Sequence, residues 1–180
     1  MIRFAPLLAL LVVSACSDTQ FFVPPPSVSE LRLNVRANTV QINDISIPEY
    51  AVNQEIAIQN PDGSISTDTG KLWADLPDRA MAGSLTRHLN TITNASVAVE
   101  PWPLSGFPDV EVSVFVEDMI VQSDGQLRLT GSYALGRETG RGQIESFAVR
   151  VPVADDTYVS IIGAHEAAWL KLAEEIARNL

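Results

Sequence analysis

Twenty-two acidic side chains face twelve basic ones in this chain of 180 residues, giving a formal charge of −10 with 46% apolar residues. That balance excludes a nucleic-acid partner, since phosphate binding needs clustered Lys and Arg, and it excludes electrostatic adhesion to anionic lipid. The apolar share is that of a chain able to bury a core, enough for one domain at about 100 to 200 residues per domain, and a single cysteine rules out an internal disulfide.

The chain opens with Arg3, an apolar run from Phe4 to Val13, and the small residues Ser14 and Ala15 leading to Cys16. A basic start, a short apolar run and a small-residue exit are the order of a secretory signal. The run is too short for a membrane span, which takes about 20 apolar residues. Residues 1–15 are therefore read as a signal peptide. Val13-Ser14-Ala15-Cys16 resembles the lipobox of bacterial lipoproteins, which implies cleavage before Cys16, a diacylglycerol on its thiol and an acyl chain on its new amine. Each buried methylene contributes about 0.8 kcal/mol and stable anchoring takes two signals, so three chains would hold the protein on a membrane essentially permanently.

Residues 16–29 include three consecutive prolines, Pro24 to Pro26. Such a segment is stiff, extended and unable to join a helix or a central strand. It is expected to be a lipidated tether lifting the domain off the bilayer, with Phe21 and Phe22 either packing on the domain or entering the lipid interface.

A single domain is expected over residues 30–180. Leu31, Leu33 and Val35 alternate with polar neighbours, as do Val40 and Ile42, and Ile56 and Ile58; period-two alternation marks half-buried strands. Asn60-Pro61-Asp62-Gly63 is a turn, because proline presets one dihedral and glycine accepts a positive one; a strand near Ser64 to Thr67 is expected to pair back across it. The period then changes. Met81, Leu85, Leu89 and Ile92 lie three or four apart, one face of a helix, with Asp75, Pro77 and Asp78 gathered at its start. Val97 and Val99 predict a short strand. The alternation of Val110 to Val116, of Leu127 to Leu135 and of Phe147 to Val153 predicts a three-stranded antiparallel meander. From about Thr157 a terminal helix presents Ile161, Ala168, Leu172, Ile176 and Leu180 on one arc. The expected fold is α+β, a largely antiparallel sheet with two helices packed on one face.

No catalytic, metal or cofactor site is legible. His88 and His165 lie on different helices without metal-ligand spacing and are expected to be structural. Ser84 sits in Ala82-Gly83-Ser84-Leu85, which is not a nucleophile elbow. The glycines 136, 140 and 142 lack a following helix and a P-loop lysine. The expectation is that the protein is not an enzyme.

Three stretches carry a further likeness: Ile45-Ser46-Ile47-Pro48-Glu49-Tyr50 with Gln54-Glu55-Ile56; Leu72-Trp73-Ala74-Asp75-Leu76 opening the first helix; and the terminal helix from Ala164 to Leu180. Together with the lipobox they resemble the PqiC-like auxiliary lipoproteins of ABC-type lipid transport. The chain departs from that pattern in having Asn53 near the place where an arginine is often found, and Leu31-Arg32-Leu33 for a tyrosine-led first strand. The resemblance implies an outer-membrane lipoprotein facing the periplasm, held by acyl chains on Cys16, whose partner is an MCE-domain protein of a lipid transport system, with self-association expected as well. Tyr50 and Trp73 are the candidate partner contacts; the favoured reading of Trp73 is a core residue pinning the first helix to the sheet. The rival role is an envelope-assembly lipoprotein resembling the scaffold domains of the Tol and lipopolysaccharide-export machineries.

Overall fold

Alternating apolar residues build the centre of the molecule. In the computed structural model, which describes residues 18–137 and 140–180, the long strands β7 (Val110–Val121), β8 (Gln126–Arg137) and β9 (Gln143–Pro152) form the expected meander. Val110, Val112, Val114 and Leu127, Leu129, Tyr133 all point to one buried face. The signal peptide and Cys16 lie outside the described residues.

The sheet is mixed, not largely antiparallel. Short strands β2 (Thr39–Ile42), β3 (Ile58–Gln59) and β6 (Ser96–Val99) lie beyond β7, with β2 and β3 both parallel to β7 and β6 parallel to β2. Only β4 (Ile65–Ser66) turns back antiparallel on β3, across the Asn60–Gly63 turn as expected. One edge of β7 therefore pairs with β8 along its length, while the other is shared by β2, an isolated bridge at Ser46 and β3. Alternation reports which face a strand buries but is blind to its direction, which here is set by crossover connections. The expected strand around Leu33 is reduced to a single bridge to Thr93.

Helices α1 (Pro77–Ile92) and α2 (Tyr158–Asn179) cover the buried face, α1 against β6 and α2 against β8 and β9, and they pack on each other. Pro77 occupies the first turn of α1, where its missing N–H costs nothing. Thr157 caps α2 by accepting the Ser160 amide. The terminal arc is core: Ala168, Leu172 and Ile176 are fully buried.

One glycine is demanded by geometry. Between Val116 and Asp118 the β7–β8 register shifts, leaving Glu117 unpaired, a β-bulge that bends the strand. Gly131 faces it, and a Cβ there would lie 2.1 Å from the Phe115 carbonyl oxygen. No side chain fits.

The stretch expected as a tether is packed against the domain from Gln20 onward. β1 (Gln20–Phe22) pairs parallel with β5 (Lys71–Trp73), and the following residues lie along the helix layer. The three prolines make this possible, since a stiff extended segment loses little backbone freedom on docking.

Candidate functional site

The strap formed by residues 20–29 meets α2 progressively from its first turn onward. The Phe22 ring lies 5.7 Å from that of Tyr158, Pro25 is beside Gly163, Ser27 donates to Glu166 and Ser29 to Glu174. On its other side Val23, Pro24 and Pro26 approach Ala80 and Arg87 of α1, leaving a cleft of about 340 Å³ floored by Trp73. The strap thus runs between the two helices.

Beneath it lies the principal buried charge. Glu166, 1% exposed, sits within the apolar arc of α2. Its Oε2 accepts from Ser84 Oγ at 2.8 Å, and its Oε1 meets His88 Nε2 at 2.9 Å and Ser27 Oγ at 3.1 Å. The Arg87 guanidinium stands 3.7 Å away. Burial alone would push this carboxyl upward, but hydrogen bonds from His88, Ser84 and Ser27 outweigh it, and the group is held below the ordinary range. Glu166 is not among the candidate residues that the sequence singles out. The signal was a carboxylate at the spacing of Ile162 and Trp169, inside a stripe otherwise apolar, with Ser84 and His88 one turn apart on the facing helix.

Serine, histidine and glutamate side by side invite a hydrolase reading, and the geometry refuses it. A triad needs histidine between nucleophile and carboxylate; here the carboxylate stands between Ser84 and His88. Ser84 is also fully buried, and the one hydroxyl near the histidine, Ser27, shares the same Nε2 with Glu166. The arrangement binds helix to helix and strap to both. Among the described residues no group of three His, Cys, Asp or Glu side chains is placed to hold a metal.

A second cluster lies close by. Trp73 is 3% exposed, stacked on Trp169 at 5.6 Å and edge-on to His165 at 5.0 Å. Its amide donates to Gln54 O and its carbonyl accepts from the Gln54 side chain. In this chain the ring pins the start of α1 to α2. His165 is fully enclosed, its Nδ1 has no partner among the described residues, and burial drives its pKa down to about 3, so the ring is neutral. Tyr50 is elsewhere: its hydroxyl accepts the Met119 amide at 2.9 Å, just past the β7 bulge, and burial raises its pKa. The structure does not bring Tyr50 and Trp73 together, and Cys16 lies outside the described residues.

With this geometry in hand, a family model described as the ABC-type transport auxiliary lipoprotein component matches residues 23–177. Among solved structures, one described only as an uncharacterized protein superposes with a TM-score of 0.74 at 18% identity, covering 90% of this chain and 98% of its own. A Xanthomonas campestris protein of the DUF330 family superposes at 0.66 with 15% identity, covering 87% and 92%. At those identities the likeness speaks for the fold. No curated protein matches the sequence.

Proposed function

Because the chain belongs to the family of ABC-type transport auxiliary lipoprotein components, we propose that it serves a transporter of the envelope as a non-catalytic subunit, anchored by Cys16 and folded in the periplasm. The transport system is of the MCE type and moves hydrophobic molecules between membranes, and the protein docks on its MCE-domain subunit. The anchor lies in the outer membrane. Ser17, not aspartate, follows Cys16, and in the enterobacterial sorting rule aspartate at that position retains a lipoprotein in the inner membrane.

The observation that carries this reading is the extent of the family match, from the strap at residue 23 to the last turn of α2. The site supports it in kind, since Ser27, Ser84, His88 and Glu166 are engaged in fastening the strap and the two helices together. Co-purification is the test. Tagged protein extracted in mild detergent should bring down an MCE-domain protein with its permease and ATPase. Recovery without any MCE protein refutes the assignment, and density-gradient fractionation with inner-membrane markers refutes the outer-membrane placement.

A further inference from the structure

The strap leaves little free chain between Cys16 and the folded domain. Gln20 is already fixed, its amide donating to the Gly70 carbonyl at 2.8 Å and its side chain accepting from Lys71 Nζ at 2.7 Å. An extended residue spans at most about 3.6 Å, so the Cα atoms of Cys16 and Gln20 lie no more than about 14 Å apart whatever path joins them. An acyl anchor on Cys16 therefore keeps the β1 end of the domain at the membrane surface.

That end displays apolar side chains from three elements. Phe21 and Val23 are 61% and 72% exposed, and they flank Phe22, the member of this run that packs inward on Tyr158. Val159, next to Tyr158 in the first turn of α2, is 66% exposed, and Leu76 at the start of α1 is 40% exposed. Ala74, two residues before Leu76, donates its amide to the Phe22 carbonyl. Exposed large apolar groups scattered singly need no explanation, but groups gathered at one place do. The carboxylates nearby are Asp18, Asp68, Asp75, Asp155 and Asp156, against the cations Lys71, Arg79 and Arg87. Their charge disfavours an anionic surface and leaves a zwitterionic one.

The geometry points to a second, shallow membrane contact: Phe21, Val23, Leu76 and Val159 seat the β1 pole on the zwitterionic lipid interface and so fix the orientation of the domain on its bilayer. The inference rests on lipidation of Cys16. A patch too small to bind free protein suffices here, because the anchor supplies the local concentration.

The test uses the full lipidated protein in phosphatidylcholine vesicles. With Cys16 acylated, an introduced Val159→Cys is the one free thiol and takes an environment-sensitive fluorophore. Ile144→Cys is the control, 76% exposed and near the C-terminal end of α2, where Gln143 meets Asn179; a 22-residue helix puts about 33 Å between the ends. Flotation with the vesicles first establishes the anchor. The label at Val159 should then be quenched by lipid-borne nitroxide and shielded from aqueous iodide, while the label at Ile144 is not. Phe21→Ser with Val23→Ser should lower the docked-to-free ratio about tenfold or more. Floating protein whose two labels behave alike overturns the docking and leaves the anchor standing. A Val159 label shielded from iodide but untouched by nitroxide means that protein covers this pole, and also overturns it. Protein that does not float refutes the anchor and the inference together.

Discussion

His165 is a titratable ring enclosed between Trp73 and Trp169 that gains no partner at Nδ1 among the described residues, and this makes the domain acid-sensitive in a defined window. Its pKa falls from 6.5 to about 3 on folding. A folded-state pKa below the unfolded one means that the unfolded chain takes up the proton first. The stabilisation from the neutral ring is complete above about pH 6.5 and is lost as pH falls toward 3. Between 6.5 and 5 the loss is about 1.5 units at 1.36 kcal/mol each, about 2 kcal/mol. For a domain of this size that lowers Tm by about 4 to 8 °C. Glu166 does not contribute in this window: its pKa is held below the ordinary 4.5, so its stabilisation is present above that value and fades only below it. The comparison is His165→Phe, of similar shape and with no nitrogen to protonate, melted by circular dichroism between pH 7.5 and 5 beside the parent. A constant offset between the two carries no information; the slope does. The parent should lose several degrees more than the variant. Parallel slopes would refute the reasoning, because they would mean that the ring reaches water or finds a partner in solution.

Two further outcomes follow from packing. Leu172 and Ile176 are fully buried, and truncating each typically costs about 2 to 5 kcal/mol against a total of about 5 to 15 kcal/mol; Leu172→Ala with Ile176→Ala should leave little folded protein at 37 °C, and a normal melt would show that this arc is not core. Gly131→Ala forces a carbon onto the Phe115 carbonyl, so it should cost at least the 1 to 3 kcal/mol typical of overpacking, while Gly125→Ala in the β7–β8 turn meets no atom within 4 Å and pays only for its positive φ; equal losses by urea titration would contradict the bulge geometry.

What the sequence discloses depends on how local the signal is. α2, α1 and the meander are legible because each helix or strand repeats its apolar spacing over seven or more residues, and tertiary packing reinforces that period. The parallel pairings of β2, β3 and β6 are not legible. Strands of two to four residues carry too few alternations to reveal a partner, and direction leaves no mark on composition. β1 is hidden for another reason: Gln20-Phe21-Phe22 precedes a proline run that reads as linker, and its partner Lys71–Trp73 is about fifty positions away. Trp73 is 3% exposed, and its ring contacts are with His165 and Trp169 of α2, where the sequence reading has it pinning the first helix to the sheet. Glu166 is not legible as part of a site, because Ser27, Ser84, His88 and Glu166 converge from three separate segments.

The strap also determines which surfaces remain open. A permanent plug between two helices would be expected to be apolar throughout, since burying a charge is costly unless it is fully paired. Here the middle of the contact is polar on both sides: Ser27 and Ser29 of the strap meet Glu166 and Glu174, while the aromatic contact is confined to the Phe22–Tyr158 end. Ser27 provides one of the hydrogen bonds that hold the Glu166 carboxylate, so lifting the strap would leave a buried anion short of a donor, a loss of about 1.5 to 3 kcal/mol for a bond to a charged group. The helix groove is thus closed by residues 20–29 of the chain itself. The side of the sheet that the helices leave bare is not covered by them, and there Phe115 and Ile144 are 50% and 76% exposed.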